Sequence, residues 1–135
     1  MRTSSRAREY RVVVPGKAES FRSPNAKRYK KKIRALIRKS IHGRLSKEFF
    51  EVYVDYFHVQ PRRMDMDNIS KCVMDALNKV LYVDDKQVRY QKSIAHDLSD
   101  FVRIRGGPID LVKALQVYDE YLFIRIREVP SGKKL

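Results

Sequence analysis

Residues 48–95 read EFFEVYVDYFHVQPRRMDMDNISKCVMDALNKVLYVDDKQVRYQKSIA, and the fold turns on how this stretch divides. In residues 48–59, Phe50, Val52, Val54 and Tyr56 recur at every second position. Side chains alternate across a strand with that period, so the segment is predicted to be a long strand with one buried face, ended by Pro61. The period then changes. Over residues 67–80, Ile69, Cys72, Val73, Ala76, Leu77 and Val80 are spaced by three and four, which gathers them on one side of a helix. Residues 87–95 return to strand character.

Working outward, residues 9–14 (EYRVVV) are rich in β-formers and stop at Pro15-Gly16, a strand followed by a turn. Ser23-Pro24 is expected to open a helix, with Ser23 as its cap and Pro24 at the first helical position. Ala26, Tyr29, Ile33, Leu36, Ile37 and Ile41 share one face of that helix, and Gly43 supplies a stop. Residues 99–107 read as a loop, and Gly106-Gly107-Pro108 as the entry to a short helix through about 117. In residues 121–129, Leu122, Ile124 and Ile126 alternate with Tyr121, Phe123, Arg125 and Arg127, a last strand. The expectation is one α+β domain over residues 1–135, a small mixed sheet of about four strands with helices packed on it. Residues 1–8 and 130–135 are expected to be flexible. The order of the strands is left open by the pattern.

Charge divides the chain unevenly. Residues 1–47 hold sixteen basic and two acidic residues, whereas residues 48–135 hold fourteen of each, so the first part carries the whole net charge of +14. A surface of this kind recruits polyanions, because each neutralised phosphate releases condensed counterions. The outer face of the first helix, with Lys27, Lys30, Lys31, Arg34 and Arg38, together with Arg62 and Arg63, is the expected nucleic-acid contact. No stretch is apolar enough for a membrane span or reads as a signal peptide, which points to no membrane partner and a cytoplasmic address. The lone Cys72 rules out an intrachain disulfide. His42, His58 and His96 are scattered and are assigned to no site.

Against this cationic background stands an acidic island. Asp65, Asp67, Asp75, Asp84 and Asp85 fall within residues 64–85, where Lys71 and Lys79 are the only cations, for a net of −3. Carboxylates repel a nucleic acid unless a cation compensates, and they are the hard oxygen ligands that Mg²⁺ prefers. In an extended segment Asp65 and Asp67 would point to one side, and Lys71 would follow Asp67 by one helical turn. Simpler readings exist for each residue. Asp67 suits a helix cap, Lys71 and Asp75 suit a surface ion pair, and Asp84-Asp85 suits a polar turn.

The run Arg62-Arg63-Met64-Asp65-Met66-Asp67-Asn68, continued as ISKCVMDALNKVLYVDDKQV to Val88, resembles the signature of RusA-type Holliday junction resolvases. That pattern has basic residues, then D-x-D-N, a lysine four residues after the second aspartate, a D-A-L helix, and a D-D pair before a strand. The resemblance implies a homodimer that binds four-way junction DNA and cuts it with Mg²⁺ or Mn²⁺. It implies that Asp65, Asp67 and Asp85 bind the metal, that Lys71 is catalytic, and that Asn68 and Asp84 support the site. Two other readings stand beside it. One is a basic DNA-binding module whose aspartates are structural. The other is a phosphatase or sugar transferase using D-x-D, which the short chain and the helix straight after Asp67 count against.

Overall fold

The computed structural model of the protein describes residues 8–41, 45–58, 65–97 and 120–129. In chain order the elements are β1 (Glu9–Pro15), α1 (Ala26–Ser40), β2 (Phe49–His58), α2 (Met66–Leu77), β3 (Val88–Asp97) and β4 (Tyr121–Val129), with a 3-10 turn at Asp85–Gln87. The expected α+β architecture is present. The strands form one mixed sheet in the order β1-β4-β2-β3. β2 and β3 run parallel, from Phe50 opposite Val88 to His58 opposite Asp97. β4 lies antiparallel to both β1 and β2, so the last strand in the sequence is inserted between them.

Both helices cover the same face. Val12 and Val14 of β1, Phe50, Val52, Val54 and Tyr56 of β2, and Leu122, Ile124 and Ile126 of β4 are buried there. Against them pack Ala26, Tyr29, Ile33 and Ile37 of α1, and Ile69, Cys72, Val73, Ala76 and Leu77 of α2. The period-two and the three-four residues of the sequence thus meet in one core. β4 departs from the expected alternation, because Tyr121 and Phe123 on its other side are buried as well. On that side Phe57 is stacked against His96, with centroids 4.5 Å apart, and against Tyr121 at 4.9 Å. His96 Nε2 in turn meets Asp55 Oδ1 at 2.8 Å.

The helix ends differ from expectation. α1 begins at Ala26, not at Pro24, and Asn25 takes the N-cap position without a side-chain capping bond. Ser23 serves the preceding turn instead: its hydroxyl accepts from Asn25 N at 3.1 Å and donates to Glu19 Oε1 at 2.7 Å. α2 stops at Leu77, three residues short of the expected end. Asn78 turns to an extended backbone at ψ 131°, which breaks the helical path, and Lys79 follows in the left-handed region at φ 64° with its N–H on Tyr82 O at 2.8 Å. The turn after β1 is where Pro15-Gly16 placed it. Gly16 has φ +93°, and its N–H donates to Glu120 O at 2.8 Å, tying β1 to the start of β4. Residues 99–117 and Gly43 lie outside the described residues.

Cys72 faces the core, with Sγ 3.8 Å from Ala26 O, and burial pushes its thiol up to about 11. At pH 8 only about one thiol in a thousand is then ionised, and the thiolate is the reactive form. The folded protein is expected to resist iodoacetamide for hours and to react at Cys72 within minutes in urea. Mass spectrometry of the two samples checks this, and rapid native alkylation would contradict the buried placement.

Candidate active site

The acidic segment meets the sheet through α2. Asp65, not Asp67, is the N-cap of this helix. Its side chain accepts from Asn68 N at 3.3 Å, and Asn68 Nδ2 donates to its second oxygen at 2.7 Å. Asp-Met-Asp-Asn offers two acids suited to capping, and the two bonds from Asn68 settle the choice. Asp67 consequently sits in the first turn, where its charge is favoured by the helix dipole. The expected extended path through both aspartates is therefore replaced by a cap and a first turn, yet both carboxylates remain exposed at one helix end. Asn68 has a definite role here, since it fixes the orientation of the Asp65 carboxylate.

Lys71 follows Asp67 by four residues within α2, so the two share a side of the helix. It is exposed and forms no ion pair among the described residues. The surface pair expected with Asp75 is not made. Asp75 instead meets Lys30 of α1 at 2.7 Å, and Arg34 Nη2 reaches Asp75 O at 3.5 Å. Lys71 borders a cleft of about 520 Å³ between α2 and β3, whose apolar lining includes Met74, Val88 and Phe21.

The second acidic pair lies elsewhere. Asp84 Oδ1 accepts from Lys86 N at 2.9 Å, closing a polar turn. Gln87 fastens this turn to the sheet. Its Oε1 accepts from Val83 N at 2.9 Å and Asp84 N at 3.0 Å, while its Nε2 donates to Ser46 O and Glu48 O at 2.9 and 2.8 Å. Sequence reasoning missed Gln87, because an amide with no charge and no periodicity gives no signal. The backbone of Asp85 opens the 3-10 turn just before β3.

These positions are not adjacent within one chain. Ser70 Oγ near the start of α2 is 2.9 Å from Ser93 Oγ, well along β3. The far end of α2 lies toward the start of β3, where Asn78 and Val88 line the same cleft. Twelve helical residues span about 18 Å. The fold thus gathers Asp65, Asp67 and Asn68 at one end of α2, sets Lys71 one turn further along it, and places Asp84-Asp85 beyond the other end. Among the described residues no three His, Cys, Asp or Glu side chains are grouped so that they could hold a metal ion.

The cationic helix is also sorted by the structure. Lys27, Arg28 and Lys31 are exposed and, with Arg34, line a concavity at the start of α1, and Arg38 is exposed near its end. Lys30 was expected to face solvent, but its side chain is 19% exposed because it is drawn to Asp75. Helical periodicity identifies a polar face and cannot see a neighbouring helix. Arg62 and Arg63 lie outside the described residues. No helix among the described residues is long and apolar enough to cross a membrane.

A search of curated proteins returns no match. The family described as endodeoxyribonuclease RusA matches residues 2–104. That span takes in β1, α1, β2, α2 and β3, and with them the capped Asp65, the exposed Asp67 and Lys71, and the Asp84-Asp85 turn. The match exceeds half of the chain and includes both ends of α2, so the protein belongs to the RusA endodeoxyribonuclease family, whose activity is the cutting of Holliday junctions.

Proposed function

We propose that the protein is a homodimeric, divalent-metal-dependent endonuclease that resolves four-way DNA junctions by paired nicks, in cytoplasmic recombination and repair. The observation that carries this reading is a pair of exposed carboxylates, Asp65 and Asp67, one turn from an exposed lysine, on a strongly cationic chain. A nucleic-acid-binding protein keeps exposed carboxylates at its binding surface at the cost of repelling its ligand. Two hard oxygen donors fit Mg²⁺ or Mn²⁺, which take one or two protein carboxylates and complete the shell with water and phosphate oxygens. When bound, such an ion supplies an activated water and charge neutralisation at the phosphodiester.

The chain's own residues divide the remaining work. Asn68 holds the Asp65 carboxylate in place through two hydrogen bonds. The Lys71 ammonium faces the charge that develops on the phosphate, and Asp84 holds the turn carrying Asp85. Asp85 is assigned to the metal site together with Asp65 and Asp67, and its position beyond the far end of α2 gives the dimer a structural reason. In a twofold pair, Asp65 and Asp67 of one copy can meet Asp85 of the other. Two such composite sites match the two symmetric strands of a junction.

The deciding experiment incubates the protein with an end-labelled four-way junction and a matched linear duplex, with Mg²⁺, with Mn²⁺ and with chelator. Paired symmetric cuts in the junction alone, abolished by chelator, are expected. Tight junction binding with no cutting under any metal would favour a DNA-binding module with structural aspartates. The same reading assigns Lys27, Arg28, Lys31, Arg34, Arg38, Arg62 and Arg63 to the DNA backbone. Reversing Lys27, Arg28 and Lys31 to Glu should weaken binding to all junction sequences alike. Each lost phosphate contact should flatten the log–log salt slope by about 0.9. Lys30 is left out of this triple because its partner is Asp75. Unchanged affinity and slope in the folded variant would mean that these cations serve only solubility.

A further inference from the structure

Phe21 is 47% exposed, and it is the only phenylalanine among the exposed large apolar side chains of the described residues. An isolated exposed apolar residue ordinarily needs no explanation. This one is held in place from two sides, and it shares its cleft with Tyr90, which is 48% exposed. Its backbone N–H donates to Asn68 O at 2.9 Å, so the loop before α1 is pinned to the first turn of α2. Its ring lies 5.3 Å from the Lys30 ammonium, which is itself anchored to Asp75 at 2.7 Å. The ring and Lys71 border the same cleft of about 520 Å³, which also takes in Met74, Val88 and Asn78. Asn78 brings a buried side-chain oxygen with no hydrogen-bond partner among the described residues.

An aromatic wall, an apolar floor, an ammonium and an amide suit one class of ligand well. A nucleobase has two π-faces and a polar edge, and its strand carries a phosphate that pairs with a cation. A stacked duplex cannot present such a face, whereas the unpaired or unstacked bases at a branch point can. We propose that the cleft between α2 and β3 takes an unstacked nucleobase of the DNA substrate against Phe21, which places the neighbouring phosphodiester at Lys71. Phe21 is then a positioning residue for cleavage and a source of preference for branched over linear DNA. This inference rests on the nuclease reading, and its substrate is the same junction.

The first arm of the test uses junctions in which each nucleotide flanking the cut is made abasic in turn. They are cut by wild-type protein, Phe21→Ala and Phe21→Trp under single-turnover conditions. Base–aromatic stacking predicts that one abasic position slows the wild type by about tenfold to a hundredfold. Phe21→Ala should slow cutting of the intact junction equally and lose nothing further on the abasic one, while Phe21→Trp restores the rate. Linear-duplex affinity should stay unchanged in all three, since it depends on α1. The second arm needs no cutting. 2-Aminopurine at the same position, in chelator, should be quenched on binding wild type and stay bright with Phe21→Ala. Phe21→Ala cutting at the wild-type rate, an abasic penalty that persists in that variant, or equal quenching by both proteins would overturn the proposal. A wild-type protein that cuts no junction would sink the nuclease reading instead, and the quenching arm would still decide the base site.

Discussion

Protein carrying Asp65→Asn should leave a four-way junction uncut, protein carrying Asp85→Asn should do the same, and a mixture of the two should regain nicking. Under the proposed function each substitution removes a carboxylate assigned to the metal, a loss of about 4 kcal/mol or roughly a thousandfold in rate. Misfolding does not account for the first loss, because asparagine caps a helix as well as aspartate does and the bond from Asn68 N can be kept. Binding should persist or tighten, since a charge facing the phosphates is gone. Recovery on mixing follows from the position of Asp65 at one end of α2 and Asp85 beyond the other. In a heterodimer of the two variants, one composite site receives both substitutions and the other receives neither. The intact site should cut one strand, so the product is a nicked junction and not a pair of resolved duplexes. Gel analysis after subunit exchange measures this. A mixture as inactive as its components would show that each site is built within one chain, and a fully active monomer in sedimentation would exclude the dimer.

Lys71→Ala should lower turnover by about a hundredfold to a thousandfold, the size associated with losing one preorganised charge-stabilising donor. Junction affinity should change by no more than one ordinary phosphate contact does. The side chain is exposed, so its removal leaves the core of Cys72, Val73 and Ala76 untouched. Lys71→Arg should recover part of the rate, because the charge returns but a planar fork replaces a point charge. Single-turnover cutting and equilibrium binding, measured on one junction, separate the two effects. Equal losses in rate and affinity would reduce Lys71 to a DNA contact.

Much of this fold is legible in two periodicities. The alternation of Phe50, Val52, Val54 and Tyr56 and the three-four spacing of Ile69, Cys72, Val73, Ala76 and Leu77 are both consequences of burial, and all nine side chains are buried. What the sequence withholds depends on partners distant along the chain. Nothing local to residues 121–129 indicates that this strand lies between β1 and β2, because register and neighbours are fixed by packing. Lys30 belongs to the polar stripe of α1 by spacing, and only the approach of α2 gives it to Asp75. The candidate site divides in the same way. Asp65, Asp67 and Lys71 stand out as a pattern of charge, whereas the capping role of Asp65 and the pinning of Phe21 by Asn68 arise from bonds that no residue type announces.

The insertion of β4 between β1 and β2 also bears on how the protein is made. β1 leaves the ribosome well before its partner strand β4, which follows after roughly a hundred further residues. At bacterial or eukaryotic elongation rates of about 5–20 residues per second, β1 waits roughly 5–20 seconds for that partner. During that interval β2, α2 and β3 can assemble as a parallel crossover, while β1 and the inner edge of β2 offer unpaired backbone to other nascent chains. Closure of the sheet is therefore a late, long-range event. Slowing translation downstream of β3 should increase aggregation during synthesis while leaving the finished protein unchanged.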